Sequence, residues 1–275
     1  MSDLAPVALR FDHAVLAVRD LEAASERLAS LGFEVRPGGR HVGFGTENAI
    51  VRFGLDYLEL MTVRDEAEAA AASARSRALV EFLRRYPSGF AGYALASDDL
   101  DEIRARLAGV GQACEGPTPM RRLRPDGTEL AWELLIPGGV AWRRPWPFFI
   151  RWALPDSRRL AIEQPGSHRN GTRAVAGISV AVEDLARARV LYEAMLGPAA
   201  ETGPRLVFRV EGFEIVVAGV RDARVDPERG PGPFELRLRV DDIERTRQVL
   251  GAAGRSTKTG IQIEALPLVL LLLHA

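Results

Sequence analysis

A strand, a capped helix and a glycine stop recur four times along this chain and constrain its fold more than any other feature. In the first copy, FDHAVLAVRDLEAASERLASLGF, side chains alternate with the two-residue period of a strand. Asp20 then stands where a carboxylate caps a helix, and Gly32 suits the left-handed residue that ends one. Further copies begin at Phe90, Val175 and Phe234. The chain is therefore predicted to repeat one supersecondary unit four times.

The segments after the first helix predict the remaining strands of one module. A short strand is expected at 33–35, followed by a glycine-rich loop at 37–48 and strands at 49–53 and 57–63. Residues 64–86 contain neither Gly nor Pro and predict one connecting helix. The fourth module is the shortest, and one of its strands is expected to be missing.

The repeat resembles the vicinal oxygen chelate superfamily, whose members are built from paired βαβββ modules. The matching stretches are FDHAVLAVRDL, PGGRHVGFGTENAIVRF and DYLELM, followed by LRPDG and PWPFFIRW, and they are most similar to the glyoxalase-like group. The resemblance implies an α+β fold of four βαβββ-type modules that form two paired, cupped mixed β-sheets. Its strong part covers about residues 9–155, and residues 172–275 resemble the modules more weakly.

The same comparison of segments suggests a domain organisation. Residues 1–160 are predicted to form the N-terminal module pair that carries the site. The polar segment 161–172 is predicted to be a linker, and residues 173–275 a second module pair that is degenerate in its chemistry. The apolar run 265–273 is shorter than the roughly 20 residues of a membrane-spanning helix, so it is predicted to be a buried strand.

Charge and cysteine content narrow the function classes. The formal net charge is −1, so no global field favours nucleic acid or an anionic membrane as a partner. The single cysteine, Cys114, excludes an intrachain disulfide and a cysteine-based zinc cage. No secretory signal is visible at the N-terminus, and a cytoplasmic location is expected. The expected partner is a small-molecule substrate or ligand, and a homodimer is compatible with the resemblance.

The resemblance also implies where a metal would bind. Superfamily members place His, Gln or Glu ligands on the first and last strands of paired modules, and His13 and Glu59 occupy these positions in the first module. The resemblance thus implies a divalent metal (Zn, Fe, Mn or Ni) at His13 and Glu59, while a metal-free pair stays equally open. At the corresponding positions the partner module has Gly92 and a closing strand with Arg151, which are not ligands of these types. The sequence therefore indicates at most half of such a metal site.

The glycine-rich stretch 37–48 is the second candidate for function. Its match to the glyoxalase-like group makes His41 a candidate catalytic residue beside His13 and Glu59, because imidazole titrates near neutral pH. It also makes Arg40, Thr46 and Asn48, with Arg52 on the next strand, candidate substrate-binding residues. The alternative is a plain turn between two strands.

The closing strand of the second module supplies two more candidates. Arg151 interrupts an apolar run, and a guanidinium can bind a carboxylate bidentately. Trp152 beside it, with neighbouring aromatic residues, is predicted to line an apolar pocket. A paired surface arginine and core packing are the structural alternatives for these two residues.

Two functions are compatible with this pattern. The first is a glyoxalase-like enzyme that acts on a small oxygenated substrate, as a metal-dependent lyase or isomerase or as a dioxygenase. The second is a non-catalytic protein of the same fold that sequesters a small molecule. The absence of clear ligands in the partner module favours the binder, whereas His13, Glu59 and His41 favour the enzyme.

Overall fold

The computed structural model describes residues 7–138, 144–221, 223, 230–265 and 268–274. The first half of the chain contains these elements in order: β1 (Arg10–Val18), α1 (Leu21–Ser30), β2 (Arg36–His41), β3 (Thr46–Arg52), β4 (Tyr57–Val63), α2 (Glu66–Ala72), α3 (Ala74–Arg85), β5 (Ser88–Ala96), α4 (Leu100–Gly109), β6 (Cys114–Leu123), β7 (Glu129–Pro137), β8 (Phe148–Trp152) and α5 (Asp156–Ile162). The second half contains β9 (Thr172–Val182), α6 (Leu185–Leu196), β10 (Ala200–Thr202), β11 (Arg205–Val210), β12 (Phe213–Gly219), β13 (Gly232–Val240), α7 (Ile243–Leu250), β14 (Arg255–Ser256), β15 (Gly260–Ala265) and β16 (Leu268–His274).

The four predicted helix caps are confirmed. Asp20, Asp99, Asp184 and Asp242 each accept a backbone N–H bond from the first turn of the helix that follows, which satisfies donors that the helix itself leaves open. The backbone of Gly32 has φ of 85°, in the left-handed region that a side chain would disfavour. The predicted α+β fold of repeated βαβββ modules is therefore correct.

The two module pairs share one strand order and differ in closure. The first pair forms a barrel in the order β1-β4-β3-β2-β6-β7-β8-β5, and the second forms an open sheet in the order β10-β11-β12-β9-β13-β16-β15-β14. Pairing of β2 with β6, where His41 lies opposite Arg122, closes the barrel. The corresponding strands β10 and β14 lie at opposite edges of the second sheet. Of the two sheets formed by the described residues, the first therefore encloses a space with strands on all sides, and the second stays open.

Four local expectations need correction. The short strand expected at 33–35 is wrong, because these residues precede β2, which begins at Arg36. The predicted loop at 37–48 is mostly the hairpin of β2 and β3, because a register shift between Pro37 and Gly39 accommodates these residues in a strand. The single connecting helix is two helices, because Ser73 adopts extended backbone and its side chain caps α3. The fourth module has all its strands, since β14 pairs with β15 over Arg255–Ser256.

Aromatic side chains join the two sheets into one core. Phe11 of β1 stacks on Phe213 of β12 with ring centroids 4.1 Å apart. The hydroxyls of Tyr93 and Tyr192 are 2.6 Å apart, so one donates to the other across the two halves. One continuous apolar cluster includes residues from both sheets. Packing between the halves thus supports the shape of the barrel from outside.

The segment 161–172, predicted as a linker, makes buried contacts with both halves. Asn170 donates to the carbonyl of Leu31 at 2.9 Å, and its own carbonyl accepts from Thr246 at 2.7 Å. Glu163 and His168 in the same segment are also buried. The domain boundaries drawn from the sequence stay a prediction. In the described parts of the chain, the helices are all too short or too polar to cross a membrane.

Candidate active site

The barrel encloses a cavity of about 110 Å³ whose lining is largely apolar. Five of its polar residues lie together in one cluster, namely His13, His41, Thr46, Asn48 and Glu59. Aromatic and aliphatic side chains form the walls, among them Phe44, Met61, Met120, Trp132, Leu134, Phe148, Ile150 and Trp152. A small apolar cavity with a few convergent polar groups is the usual form of a small-molecule site.

Strand alternation directs the cluster inward. On β4, Tyr57, Glu59 and Met61 all line the cavity, as the two-residue period of a strand requires. The parallel pairing of β1 with β4 sets His13 beside Tyr57 and Val15 beside Glu59. The imidazole of His13 stacks on the Tyr57 ring with centroids 4.7 Å apart, which fixes its plane. The predicted pair His13 and Glu59 therefore faces one space.

Glu59 lies at the centre of the cluster. Its Oε2 is 3.7 Å from Nε2 of His13, and its Oε1 is 3.6 Å from Nε2 of His41. Asn48 Nδ2 donates to Oε1 at 2.5 Å. The two imidazole separations exceed the length of an N–H···O hydrogen bond, so both nitrogens face the carboxylate without bonding to it. The three ionisable groups therefore converge on the same part of the cavity.

Asp12 orients His13 from behind. A register shift in β1 between Phe11 and His13 allows Asp12 Oδ1 to lie 2.8 Å from His13 Nδ1. Asp12 is fully buried, and its other oxygen accepts from Trp152 Nε1 at 3.0 Å and faces Arg159 at 3.5 Å. Burial opposes ionisation, but the charge of Arg159 and the bond from His13 prevail and hold the pKa of Asp12 well below its usual range.

An ionised Asp12 can only accept hydrogen bonds, so Nδ1 of His13 carries the proton. In the neutral imidazole this leaves the Nε2 lone pair directed at the cavity. The guanidinium of Arg159 also lies 3.7 Å from the centre of the Trp152 ring. Arg159 therefore contacts both Asp12 and Trp152, a residue of the cavity wall.

His41 is buried at the end of β2 and lines the cavity. Its Nδ1 is 2.8 Å from Thr46 Oγ1. Burial lowers the pKa of His41 to about 4, and the nearby charge of Arg122 contributes, while Glu59 partly opposes the shift. His41 is therefore neutral at neutral pH and serves as a hydrogen-bonding group beside Glu59.

A buried charge network supports the cluster from outside the cavity. Glu163 accepts from Arg52 and Arg124 at 3.0 Å each and from Arg122 at short range. Arg122 also lines the cavity and is almost fully buried. The predicted substrate residue Arg52 belongs to this network, behind Tyr57, and burial lowers its pKa. Arg52 is thus a supporting residue that does not line the cavity.

Two further predicted residues lie outside the cavity. Arg40 is exposed, because it precedes the inward-facing His41 on β2 and alternation turns it outward. Arg151 stands between the inward-facing Ile150 and Trp152, and its Nη2 pairs with Glu133 at 2.6 Å on the outer face. The structure therefore brings together His13, His41, Thr46, Asn48, Glu59 and Trp152 from the predicted set.

Sequence reasoning missed several contributors. Asp12 carried a signal, because it is a second polar residue beside His13 in an apolar strand. Glu163 lies in the segment predicted to be a linker and Arg159 lies next to it, and no local pattern marks either residue as buried. Their roles depend on contacts between residues more than 100 positions apart, such as Arg159 with Asp12.

The second module does not supply the metal ligands that the superfamily resemblance implies. Val15 of β1 pairs with Glu59 of β4. Ala94 of β5 stands at the same distance before its helix cap as Val15 does before Asp20, and Ala94 pairs with Phe148 of β8. Phe148 is therefore the counterpart of Glu59, and Gly92 that of His13. The Phe148 ring packs edge-on against His13 at 5.5 Å. Across the described ranges, no group of three or more His, Cys, Asp or Glu side chains is placed to hold a metal ion. The residues do not fit the paired-module metal site.

The chain belongs to the glyoxalase-like domain family, whose model matches residues 11–196. Among solved structures, a hypothetical protein from Staphylococcus aureus superposes with a TM-score of 0.74 at 15% identity, covering 97% of this chain and 100% of that one. A mutant of 4-hydroxymandelate synthase from Streptomyces coelicolor gives a TM-score of 0.57 at 18% identity, covering 98% of this chain and 92% of that one.

A fusion of a xylose isomerase-like TIM barrel with 4-hydroxyphenylpyruvate dioxygenase gives a TM-score of 0.54 at 13% identity, over 98% of this chain and 49% of that one. The chain therefore spans about half of that protein. At these identities the likeness shows the fold alone. None of the curated proteins compared matches the chain significantly.

Proposed function

We propose that this protein is a glyoxalase-like enzyme that moves a proton on a small oxygenated substrate, such as a hydroxycarbonyl compound, bound in the barrel cavity. One observation carries the proposal: Nε2 of His13 and Oε2 of Glu59 face each other at 3.7 Å in a cavity lined mainly by apolar side chains. Two proton acceptors at this separation can take a proton from one substrate atom and return it to another.

In this mechanism His13 is the base and Asp12 its positioning residue. The hydrogen bond from Nδ1 to Asp12 directs the Nε2 lone pair into the cavity, and it stabilises the imidazolium that forms when Nε2 accepts a proton from the carbon next to a carbonyl. The ionised Asp12 does not take the proton itself, because its charge is held by Arg159.

Glu59 is the second proton carrier. Its Oε1 is held by Asn48, so its Oε2 is the oxygen that faces His13. His13 removes a proton from the carbon next to the carbonyl, Glu59 returns a proton to the substrate oxygen or to the neighbouring carbon, and the net result is an isomerisation in which one C–H bond breaks and one O–H or C–H bond forms. His41, kept neutral by burial, donates or accepts a hydrogen bond at the substrate oxygen without changing charge.

The apolar walls also support the second candidate, a protein that sequesters a ligand without reaction. The rings of Trp132 and Trp152 pack against each other with centroids 5.1 Å apart, and Phe148 also lines the cavity. Such walls bind an aromatic or aliphatic body whether or not a reaction follows. The two functions differ in turnover and can be separated by one experiment.

That experiment follows hydrogen–deuterium exchange at the carbon next to the carbonyl by NMR, with hydroxyacetone, glyceraldehyde, pyruvate and phenylpyruvate in D2O. The enzyme proposal expects catalysed exchange of at least one compound, lost in His13→Asn and kept in the outer-face variant Arg151→Met. Stoichiometric binding of a compound with no exchange above the uncatalysed rate would favour the binder instead.

A further inference from the structure

We infer that Tyr57 is a further catalytic residue, whose hydroxyl donates a hydrogen bond to the carbonyl oxygen of the substrate. The inference rests on the proposed function and adds one role to it. When His13 removes the proton next to the carbonyl, the electron pair of the C–H bond forms a carbon–carbon double bond, and the carbonyl electrons move to the oxygen. A donor at that oxygen stabilises the negative charge that develops there.

The strand register directs the Tyr57 side chain into the cavity. Tyr57 of β4 is paired with His13 of β1, and paired residues of adjacent strands project from the same face of a sheet. Both residues line the cavity. Their rings stack with 15° between the planes and with centroids 4.7 Å apart. Tyrosine is the longer of the two side chains, so its hydroxyl reaches the space that Nε2 of His13 faces.

The Tyr57 ring is held by neighbours on two adjacent strands. On the side away from β1, Tyr57 is paired with Arg52 of β3. The guanidinium carbon of Arg52 is 5.3 Å from the centre of the Tyr57 ring, and Arg52 is itself held by Glu163 at 3.0 Å. The guanidinium and the imidazole of His13 thus contact the same ring. A donor that is fixed in this way needs little reorganisation when the reaction occurs.

The hydroxyl of Tyr57 lacks the hydrogen bond that a buried tyrosine normally makes. The residue is only 4% exposed, yet its hydroxyl makes no hydrogen bond to any residue in the part of the chain that the structure describes. The core tyrosines differ, since the hydroxyls of Tyr93 and Tyr192 are 2.6 Å apart and Tyr192 donates to the carbonyl of Pro145 at 2.7 Å. An unpaired hydroxyl in a buried place is costly, so a ligand in the cavity is the expected partner of Tyr57.

The surroundings of Tyr57 keep its hydroxyl protonated. Burial raises the pKa of Tyr57 well above its usual value, and the negative charges of Asp12 and Glu59 raise it further. The positive charges of Arg122 and Arg159 oppose this shift only in part. The hydroxyl is therefore a hydrogen-bond donor at neutral pH and does not compete as a proton acceptor.

The first test measures proton exchange by Tyr57→Phe, with the compound that the wild type exchanges fastest in D2O. The substitution removes the hydroxyl and keeps the ring. We expect kcat to fall by about 10²-fold or more, the effect of removing one donor to a developing oxyanion. The Kd should rise by at most about tenfold, the size of one neutral hydrogen bond. The matched control is Tyr93→Phe, which should keep both constants, because Tyr93 packs in the core and does not line the cavity.

The second test separates the hydrogen bond from the reaction. Benzaldehyde labelled with carbon-13 at its carbonyl has no proton on a neighbouring carbon, so it cannot undergo the exchange. Infrared difference spectra should show the carbonyl stretch of the bound compound at a lower frequency than in an apolar solvent, because a hydrogen bond weakens the C=O bond. This shift should be largely lost in Tyr57→Phe and kept in Tyr93→Phe.

Urea unfolding checks that the Tyr57 hydroxyl has no partner in the protein. Tyr57→Phe should keep or raise the midpoint, whereas Tyr93→Phe should lower it, because Tyr192 loses one of its partners. A midpoint lowered equally in both variants would overturn the inference.

The inference is also overturned by an unchanged exchange rate in Tyr57→Phe, by a carbonyl stretch that Tyr57→Phe leaves unchanged, or by no binding of benzaldehyde at millimolar concentration. A wild type that shifts the stretch but exchanges none of the compounds would contradict the proposed reaction and keep Tyr57 as the donor to the carbonyl oxygen. A failure of the proposed function and a failure of this inference are therefore distinguishable.

Discussion

His13 lies between two carboxylates of different surroundings: its Nδ1 is 2.8 Å from Asp12 Oδ1, and its Nε2 is 3.7 Å from Glu59 Oε2. Asp12 is held ionised by Arg159 and hydrogen-bonded by Trp152 behind the barrel wall. Glu59 faces the cavity and is hydrogen-bonded by Asn48. One carboxylate therefore fixes the imidazole, and the other shares the cavity with it.

Glu163→Gln should strongly destabilise the fold. The substitution leaves Arg52 and Arg122 buried without their carboxylate, a loss that costs about 3–5 kcal/mol when one partner of a buried pair is removed. Urea unfolding measures the free energy. The matched control is Glu133→Gln, whose partner Arg151 is partly exposed and whose loss should cost less than about 1 kcal/mol. Equal costs for the two variants would contradict this account of the network.

His41 should make the fold less stable in weak acid. Its folded-state pKa of about 4 lies below the unfolded value near 6.5, so the unfolded chain binds more protons between these values. Stability is therefore full above about pH 6.5 and falls by up to about 3 kcal/mol as the pH decreases to about 4. His41→Asn should flatten this dependence in urea unfolding at pH 7 and pH 5.

The control for His41 is His168→Asn. Burial also lowers the pKa of His168, so some acid sensitivity is expected to come from that residue and to disappear in this variant. The larger part should remain. A pH dependence that His41→Asn leaves unchanged would show that this imidazole is protonated as readily in the folded protein as in the unfolded chain. The contribution of Asp12 lies at lower pH, because its pKa is depressed and its stabilising effect is lost only in strong acid.

Phe213→Ala should destabilise both halves together. The ring stacks on Phe11 and is buried, and a Phe→Ala change in a core costs about 3–5 kcal/mol. Because the apolar cluster is continuous through both sheets, tryptophan fluorescence and circular dichroism should report one shared transition. Val190→Ala, at a side chain 43% exposed, should change stability by less than about 0.5 kcal/mol. Two separate transitions in the wild type would contradict this prediction.

The sequence predicted the parts of the fold that depend on local chemistry. Each helix cap acts within one helical turn, so the sequence spacing was enough to predict the caps at Asp20, Asp99, Asp184 and Asp242. The β2 strand was not, because its Pro and Gly residues favour a loop and only pairing with β3 and β6 holds it extended.

The site was predictable to a similar extent. His13, Glu59 and His41 could be placed from the pattern. Whether Arg40 and Arg151 point inward or outward depends on which residues of each strand face the cavity, and a single polar residue in a strand does not determine this. The sequence offers Arg151 at the position expected for the counterpart of Glu59, whereas the observed pairing of Ala94 with Phe148 assigns that position to Phe148. The buried partners Asp12, Arg159 and Glu163 depend on contacts across the whole first half of the chain.

The most direct test of the account is the rate of proton exchange by Glu59→Gln, measured together with its metal content and that of the wild type. Glutamine keeps the size of the side chain and its contact with Asn48 but cannot carry the proton. We predict that the exchange rate falls by about 10²-fold or more, that its pH dependence changes, and that neither protein contains a stoichiometric divalent metal. An unchanged rate, or one equivalent of metal in the wild type that disappears in Glu59→Gln, would contradict the role assigned to His13 and Glu59.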